Sequence, residues 1–133
     1  GQFAVPHDLA MGSAGRIFVG DRGNNRVQIF DQDGNFIKEW PQFGRPSGLF
    51  IDDNDMLYVT DSSSENRGPT GSPNNSSPYA EGVRVASVKD GAVTLFLDDP
   101  HKNGSQEGIV VDKAGNIYGS LTAGRGLRKY LVR

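Results

Sequence analysis

Few side chains in this chain can do chemistry, and their types narrow what that chemistry can be. Among the 133 residues there are two histidines, His7 and His101, and no cysteine. That excludes disulfides, thiolate metal sites and a cysteine nucleophile. A neutral imidazole ligates divalent metals, and Glu107 offers a carboxylate oxygen, so His7 and Glu107 are candidate ligands for zinc or calcium. A surface histidine and a glutamate bonded to water account for the same residues without a metal. Arg22 follows Asp21 and is the candidate catalytic group, because a guanidinium can clamp a substrate carboxylate through two parallel hydrogen bonds. A salt bridge within its own loop is the alternative. Asp8, Ser47 and Tyr79 are candidate ligand-binding residues, and His101, in Asp98-Asp99-Pro100-His101, lies on a link between strands at the same end and could join, a solvated loop histidine being the alternative. No Ser/His/Asp nucleophile arrangement, phosphate loop or paired-carboxylate motif stands out. Hydrolysis through a covalent intermediate is therefore not expected.

The elements that must position these groups come from a repeat. Gln2-Phe3-Ala4-Val5-Pro6 aligns with Gln42-Phe43-Gly44-Arg45-Pro46, and Ile17-Phe18-Val19-Gly20-Asp21 with Leu57-Tyr58-Val59-Thr60-Asp61, at an offset of 40 residues. A third copy runs through Gly108-Ile109-Val110-Val111-Asp112 and Gly115-Asn116-Ile117-Tyr118-Gly119. Gly48 and Gly108 are 60 residues apart, and the extra length sits at 62–82. In the first copy, His7 to Met11, Arg16 to Gly20, Arg26 to Asp31 and Phe36 to Trp40 read as four short strands. Gln32-Asp33-Gly34-Asn35 is a tight-turn signal between the last two. Arg26-Val27-Gln28-Ile29-Phe30 alternates as a half-buried strand does, and the first two strands are apolar enough for burial on both faces.

Four strands at a period near 40 is the spacing of a propeller blade. The expected fold is all-β, a β-propeller of four-stranded blades. About three blades are present, at 2–41, 42–99 with its insertion, and 100–133, where the last is incomplete. Three blades leave two apolar faces open, so either the chain is a fragment of a longer one or a homodimer completes a six-bladed ring. In such a blade the first strand lines the channel. The starts of the first strands (His7-Asp8, Ser47-Gly48, Glu107-Gly108) and the ends of the second (Asp21-Arg22, Asp61-Ser62, Ser120-Leu121) then converge on one rim, with the insertion beside it. The recurring Asp21 and Asp61 read as scaffold, accepting N–H groups of the following loop, and Arg26 as an ion-pair partner within its blade. The insertion is rich in Gly, Pro, Ser and Asn and reads as a lid over the channel or a surface loop.

The run Phe-x-x-Pro, Ile17-Phe18-Val19-Gly20-Asp21 and Asn24-Asn25-Arg26-Val27-Gln28-Ile29-Phe30-Asp31 resembles the NHL repeat, whose propellers usually have six blades. Pro6-His7-Asp8 with Gly20-Asp21-Arg22 is similar to the peptidylglycine α-hydroxyglycine amidating lyase branch. The third copy is also similar to gluconolactonase propellers. The lyase resemblance implies a zinc-binding histidine at His7 and an active-site arginine at Arg22. That family takes histidines from three blades, whereas Ser47 and Glu107 hold the equivalent positions here, and Ser62-Ser63-Ser64 stands where a tyrosine is expected. Two functions follow: a propeller binding a small molecule, a peptide or a partner at the channel mouth, or a metal-dependent lyase or lactonase-like enzyme. The net charge of −2 without a like-charge block argues against nucleic acid or an anionic membrane as partner, and no apolar run approaches a membrane span. The composition suits a soluble protein, secreted or periplasmic included, and does not fix its compartment.

Overall fold

A computed structural model of the chain describes residues 2–64, 78–99 and 106–131. They form three antiparallel sheets. The first holds β1 (Pro6–Met11), β2 (Ile17–Asp21), β3 (Arg26–Phe30) and β4 (Phe36–Trp40) in that order. The second holds β5 (Pro46–Ile51), β6 (Met56–Asp61), β7 (Gly82–Ser87) and β8 (Val93–Asp98). The third holds β9 (Gln106–Val111), β10 (Ile117–Leu121) and β11 (Gly126–Tyr130). This is the all-β partial propeller that the repeat implies. Among the described residues no helix is long and apolar enough to cross a membrane.

The turn chemistry is the local cause of the strands. Asp31 accepts the N–H groups of Asp33 and Asn35 at 3.0 and 2.8 Å, and Gly34 takes φ +82°, which closes the β3–β4 hairpin where the Asp-Gly signal stands. Asp52 and Asp112 close the first hairpins of the second and third sheets in the same way.

The core lies between sheets, as blade packing requires. Phe18, Val27, Ile29, Trp40, Phe43, Leu49, Leu57, Val59 and Ala86 fill the space between the first two sheets. Tyr58, Val83, Val85, Ile109 and Ile117 fill the space between the second and third. Two expectations about burial need correction. β3 alternates in polarity but not in burial: Gln28 is fully buried because its amide donates to Asp21 at 2.9 Å. β1 is not buried on both faces. Leu9 and Met11 are 62% and 55% exposed, because no described sheet covers that side of the first blade, whereas β5 has a neighbour on each side.

Candidate functional site

Each inner strand bulges near its start, at the candidate residues. In the first blade Pro6 pairs with Asp21 and Asp8 with Gly20, so His7 is the extra residue. In the second, Pro46 pairs with Asp61 and Leu49 with Val59, which places Ser47 and Gly48 in the bulge. In the third, Gln106 pairs with Leu121 and Gly108 with Ser120, and Glu107 is extra. A bulge frees a residue from the ladder and re-aims its side chain. Hydroxyls opposite take up the freed N–H groups: Gly48 donates to Thr60 at 2.7 Å and Gly108 to Ser120 at 2.9 Å. Gly48 is also required for close approach. A Cβ there would stand 2.6 Å from the Glu107 carbonyl oxygen, so a side chain would push the third blade away.

The three bulged residues meet. His7 Nδ1 lies 3.1 Å from the Ser47 carbonyl oxygen, and His7 Nε2 lies 3.1 Å from Glu107 Oε2. A carbonyl only accepts, so Nδ1 carries a proton. Nε2 then faces a carboxylate oxygen, an arrangement that is attractive when Nε2 is also protonated or when a cation lies between the two. Ser62 Oγ donates to Glu107 Oε1 at 3.2 Å and stands 2.6 Å from Ser47 Oγ. Arg22, in a single 3-10 turn (Arg22–Asn24), brings Nη1 to 3.6 Å from Glu107 Oε2. Neither His7 nor Arg22 aligns with Oε2 as a hydrogen-bond donor, so this buried oxygen faces two nitrogen groups without a hydrogen bond of its own.

The other candidates are placed as follows. Asp8 ties the first blade to the second: Oδ2 accepts the Leu49 N–H and Oδ1 the Leu9 N–H, each at 2.8 Å. The Tyr79 ring stands 5.2 Å from the Arg84 guanidinium. His101 and the insertion from 65 to 77 are outside the described residues. Asp21 and Asp61 are buried scaffold. Asp61 accepts the N–H groups of Ser63 and Ser64 in the following loop, and the Ser64 hydroxyl. At Asp21 the backbone donor is instead Ala4, which precedes it, joined by the side chains of Asn24, Arg26 and Gln28. Arg26 pairs within its blade with Asp21 at 2.9 Å, which leaves Arg22 free to reach across the rim.

Sequence reasoning placed Ser62 on the rim but missed its burial, and it missed Ser63 and Arg45. The serines read as the start of a polar loop, yet all three of Ser62–Ser64 are buried. Arg45 carried a signal, since it stands where the first copy has Val5. Its Nε donates to Ser63 Oγ at 2.9 Å and its Nη1 to Asn25 Oδ1 at 3.3 Å. Arg22 Nη2 donates to the same Ser63 oxygen at 3.2 Å. Burial, and next the Arg22 charge, make Arg45 a weaker base than usual.

The donor set can be tested against a metal. Two ligands, each about 2.1 Å from one zinc, stand about 3.0–3.4 Å apart, and the Nε2–Oε2 separation of 3.1 Å fits. Zinc takes three or more protein ligands. Among the described residues no group of three or more His, Cys, Asp or Glu could hold a metal. The described residues therefore supply two donors at ligand spacing and no third.

Residues 3–30 match the NHL repeat. Over 63 residues the chain is 40% identical to human NHL repeat-containing protein 3, which covers 44% of this chain and 18% of that protein. It is 51% identical to protein lin-41 of Caenorhabditis elegans over 39 residues, 29% of this chain and 3% of that one. Protein brain tumor of Drosophila melanogaster is 30% identical over 120 residues, 88% of this chain and 10% of that protein. The chain thus spans less than a fifth of each of these relatives. Among solved structures it superposes on a streptogramin B lyase with TM-score 0.63 and 18% identity, covering 93% of this chain and 39% of that one. On virginiamycin B lyase from Staphylococcus aureus the TM-score is 0.65 at 14% identity, covering 96% and 41%. At these identities the likeness is one of fold.

Proposed function

We propose that this NHL-type propeller segment binds a small molecule or peptide at the channel mouth, with His7, Ser47 and Glu107 as the floor of the site and Arg22 at its side. One observation carries the reading. Three inner strands bulge at the same repeat position, and the three freed residues meet in one polar cluster. A scaffold needing only its ladder would have no use for three coincident bulges. Arg22 favours a ligand with an anionic group.

The second reading is a metal-dependent lyase, as the motif around His7 and Arg22 suggests, or a lactonase-like enzyme. It is supported by the 3.1 Å spacing of His7 Nε2 and Glu107 Oε2, and it needs further ligands from beyond the described residues. If they are present, His7 and Glu107 would hold a divalent ion able to polarise a substrate oxygen, and Arg22 would orient the substrate. Titration calorimetry with zinc and calcium, together with elemental analysis, separates the two readings. The lyase reading expects metal in the wild type and none in His7→Ala. Equal metal content in both leaves the binding reading standing.

Assembly belongs to the same proposal. Leu9 and Met11 on the first blade and Leu127 (70% exposed) on the third leave apolar side chains open, which a second copy closing a six-bladed ring would cover. Light scattering of the 133-residue chain is then expected to give about twice 14.3 kDa. A monomer at all concentrations rejects the dimer.

A further inference from the structure

We infer that Arg45 and Arg22 form an oxyanion clamp on the rim between the first and second blades, and that its ligand group is a carboxylate. This rests on the reading of the channel mouth as a ligand site, and it assigns that site's anionic pole. Arg45 is 7% exposed. Among the described residues its guanidinium hydrogen-bonds to Ser63 and Asn25, both neutral, and no carboxylate oxygen lies within 4.0 Å of it. A buried cation is costly unless a counter-charge answers it. Among the described residues the nearby acids have other partners. Asp61 accepts the Arg45 backbone N–H and its charge acts on the guanidinium from beyond contact distance, but its oxygens are taken by Ser63, Ser64 and, at 3.5 Å, Arg84. Glu107 stands against His7 and, at 3.6 Å, Arg22.

The geometry adds a second reason. Arg22 Nη2 and Arg45 Nε donate to one oxygen, Ser63 Oγ, at 3.2 and 2.9 Å. Two guanidinium groups, which repel each other, are thus held together by a single neutral acceptor. Each has N–H groups left over, and a carboxylate has two oxygens with about four acceptor positions. One carboxylate bridging the pair would answer both charges and match the planar forks. Arg22 is partly exposed and gives the approach; Arg45 is the buried end. The sequence places Arg45 where the first copy has Val5, so the repeat's fold does not demand a charge at this position.

The test is an NMR titration of the full chain with acetate against chloride at constant ionic strength, read at the arginine Nε–H signals. The clamp expects a saturable shift of both the Arg22 and the Arg45 signals. Arg45→Gln should weaken acetate about tenfold or more, as expected for the loss of a charge-assisted hydrogen bond. Arg45→Lys should fall between, because the charge remains without the fork. No saturable shift in the wild type overturns the clamp, and so does Arg45→Gln binding acetate as tightly as the wild type. If Arg45→Gln does not fold, Arg22→Gln makes the same test at a more exposed position. His7→Ala separates this from the broader reading. Acetate binding unchanged in His7→Ala supports a clamp that stands apart from the His7–Glu107 cluster. Loss of acetate binding in His7→Ala, with Arg45→Gln unchanged, overturns the clamp and leaves the channel-mouth site.

Discussion

Between the first and second blades the junction is large and aromatic. Phe18 and Trp40 stand with ring centroids 5.6 Å apart, Trp40 and Phe43 6.1 Å apart, and Asp8 bonds across to Leu49. Between the second and third, a smaller apolar cluster is joined by the backbone approach at Gly48 and the Ser62–Glu107 hydrogen bond. The candidate site straddles both, since His7 and Arg22 come from the first blade, Ser47 and Ser62 from the second, and Glu107 from the third. The difference teaches that one half of the site stands on a hydrophobic foundation, while Glu107 is held largely by polar contacts and by a glycine. Changes at the two junctions should therefore separate stability from site geometry.

The largest effect is expected at the first junction. Phe18→Ala leaves an aromatic-sized cavity and should cost about 3–5 kcal/mol in denaturant unfolding, with the Glu107 environment little changed in the folded fraction. Ile109→Ala, at the second junction, should cost about 2–3 kcal/mol but loosen the third blade, so the His7 ring signals should shift more than in any first-junction variant that folds. If Phe18→Ala moves the His7 signals more than Ile109→Ala does, the division of labour between the junctions is wrong.

The two repeated aspartates sharpen the comparison. At Asp21 burial raises the pKa, but hydrogen bonds from Asn24, the Ala4 N–H, Arg26 and Gln28 together outweigh it and hold the carboxyl below its ordinary 3.8. At Asp61 burial wins over the Ser63 and Ser64 hydrogen bonds, and the carboxyl lies above 3.8. The signs are opposite. Asp21 contributes stability above pH 3.8 that is lost as pH falls through its lowered value, whereas the contribution of Asp61 is present below pH 3.8 and lost as pH rises through its raised value. Asp21→Asn should cost about 1–3 kcal/mol at neutral pH, and that cost should shrink in acid. For Asp61→Asn the cost should shrink as pH rises instead. Parallel pH profiles for the two variants would refute the contrast. Ser62→Ala should have the smallest effect on stability, about 0.5–1.5 kcal/mol in denaturant unfolding, and should also change the environment of Glu107, whose hydrogen bond from Ser62 is lost.

How much of this could be read from the chain differs between fold and site. Copies 40 residues apart, Asp33-Gly34 turns and short apolar runs determine four-stranded blades, because turn chemistry and strand periodicity act between near neighbours in sequence. His7, Ser47 and Glu107 are legible as residues at equivalent positions for the same reason. Neither the bulges that free them nor the burial of Ser62–Ser64 in a polar run shows in any local pattern. A bulge is a property of the pairing between strands, and burial depends on what the next blade covers.

The sequence by itself therefore determined the repeat, the strand order within each blade and the rim on which the candidates gather. Tertiary structure alone decided that His7 faces Glu107 two blades away, that Tyr79 meets Arg84, and that Arg45 shares the Ser63 hydroxyl with Arg22. The physical reason is range. Propensity, turn type and alternation are set over a few residues, whereas which charge meets which is fixed only when blades pack, and packing brings together groups separated by 40 or 100 positions along the chain.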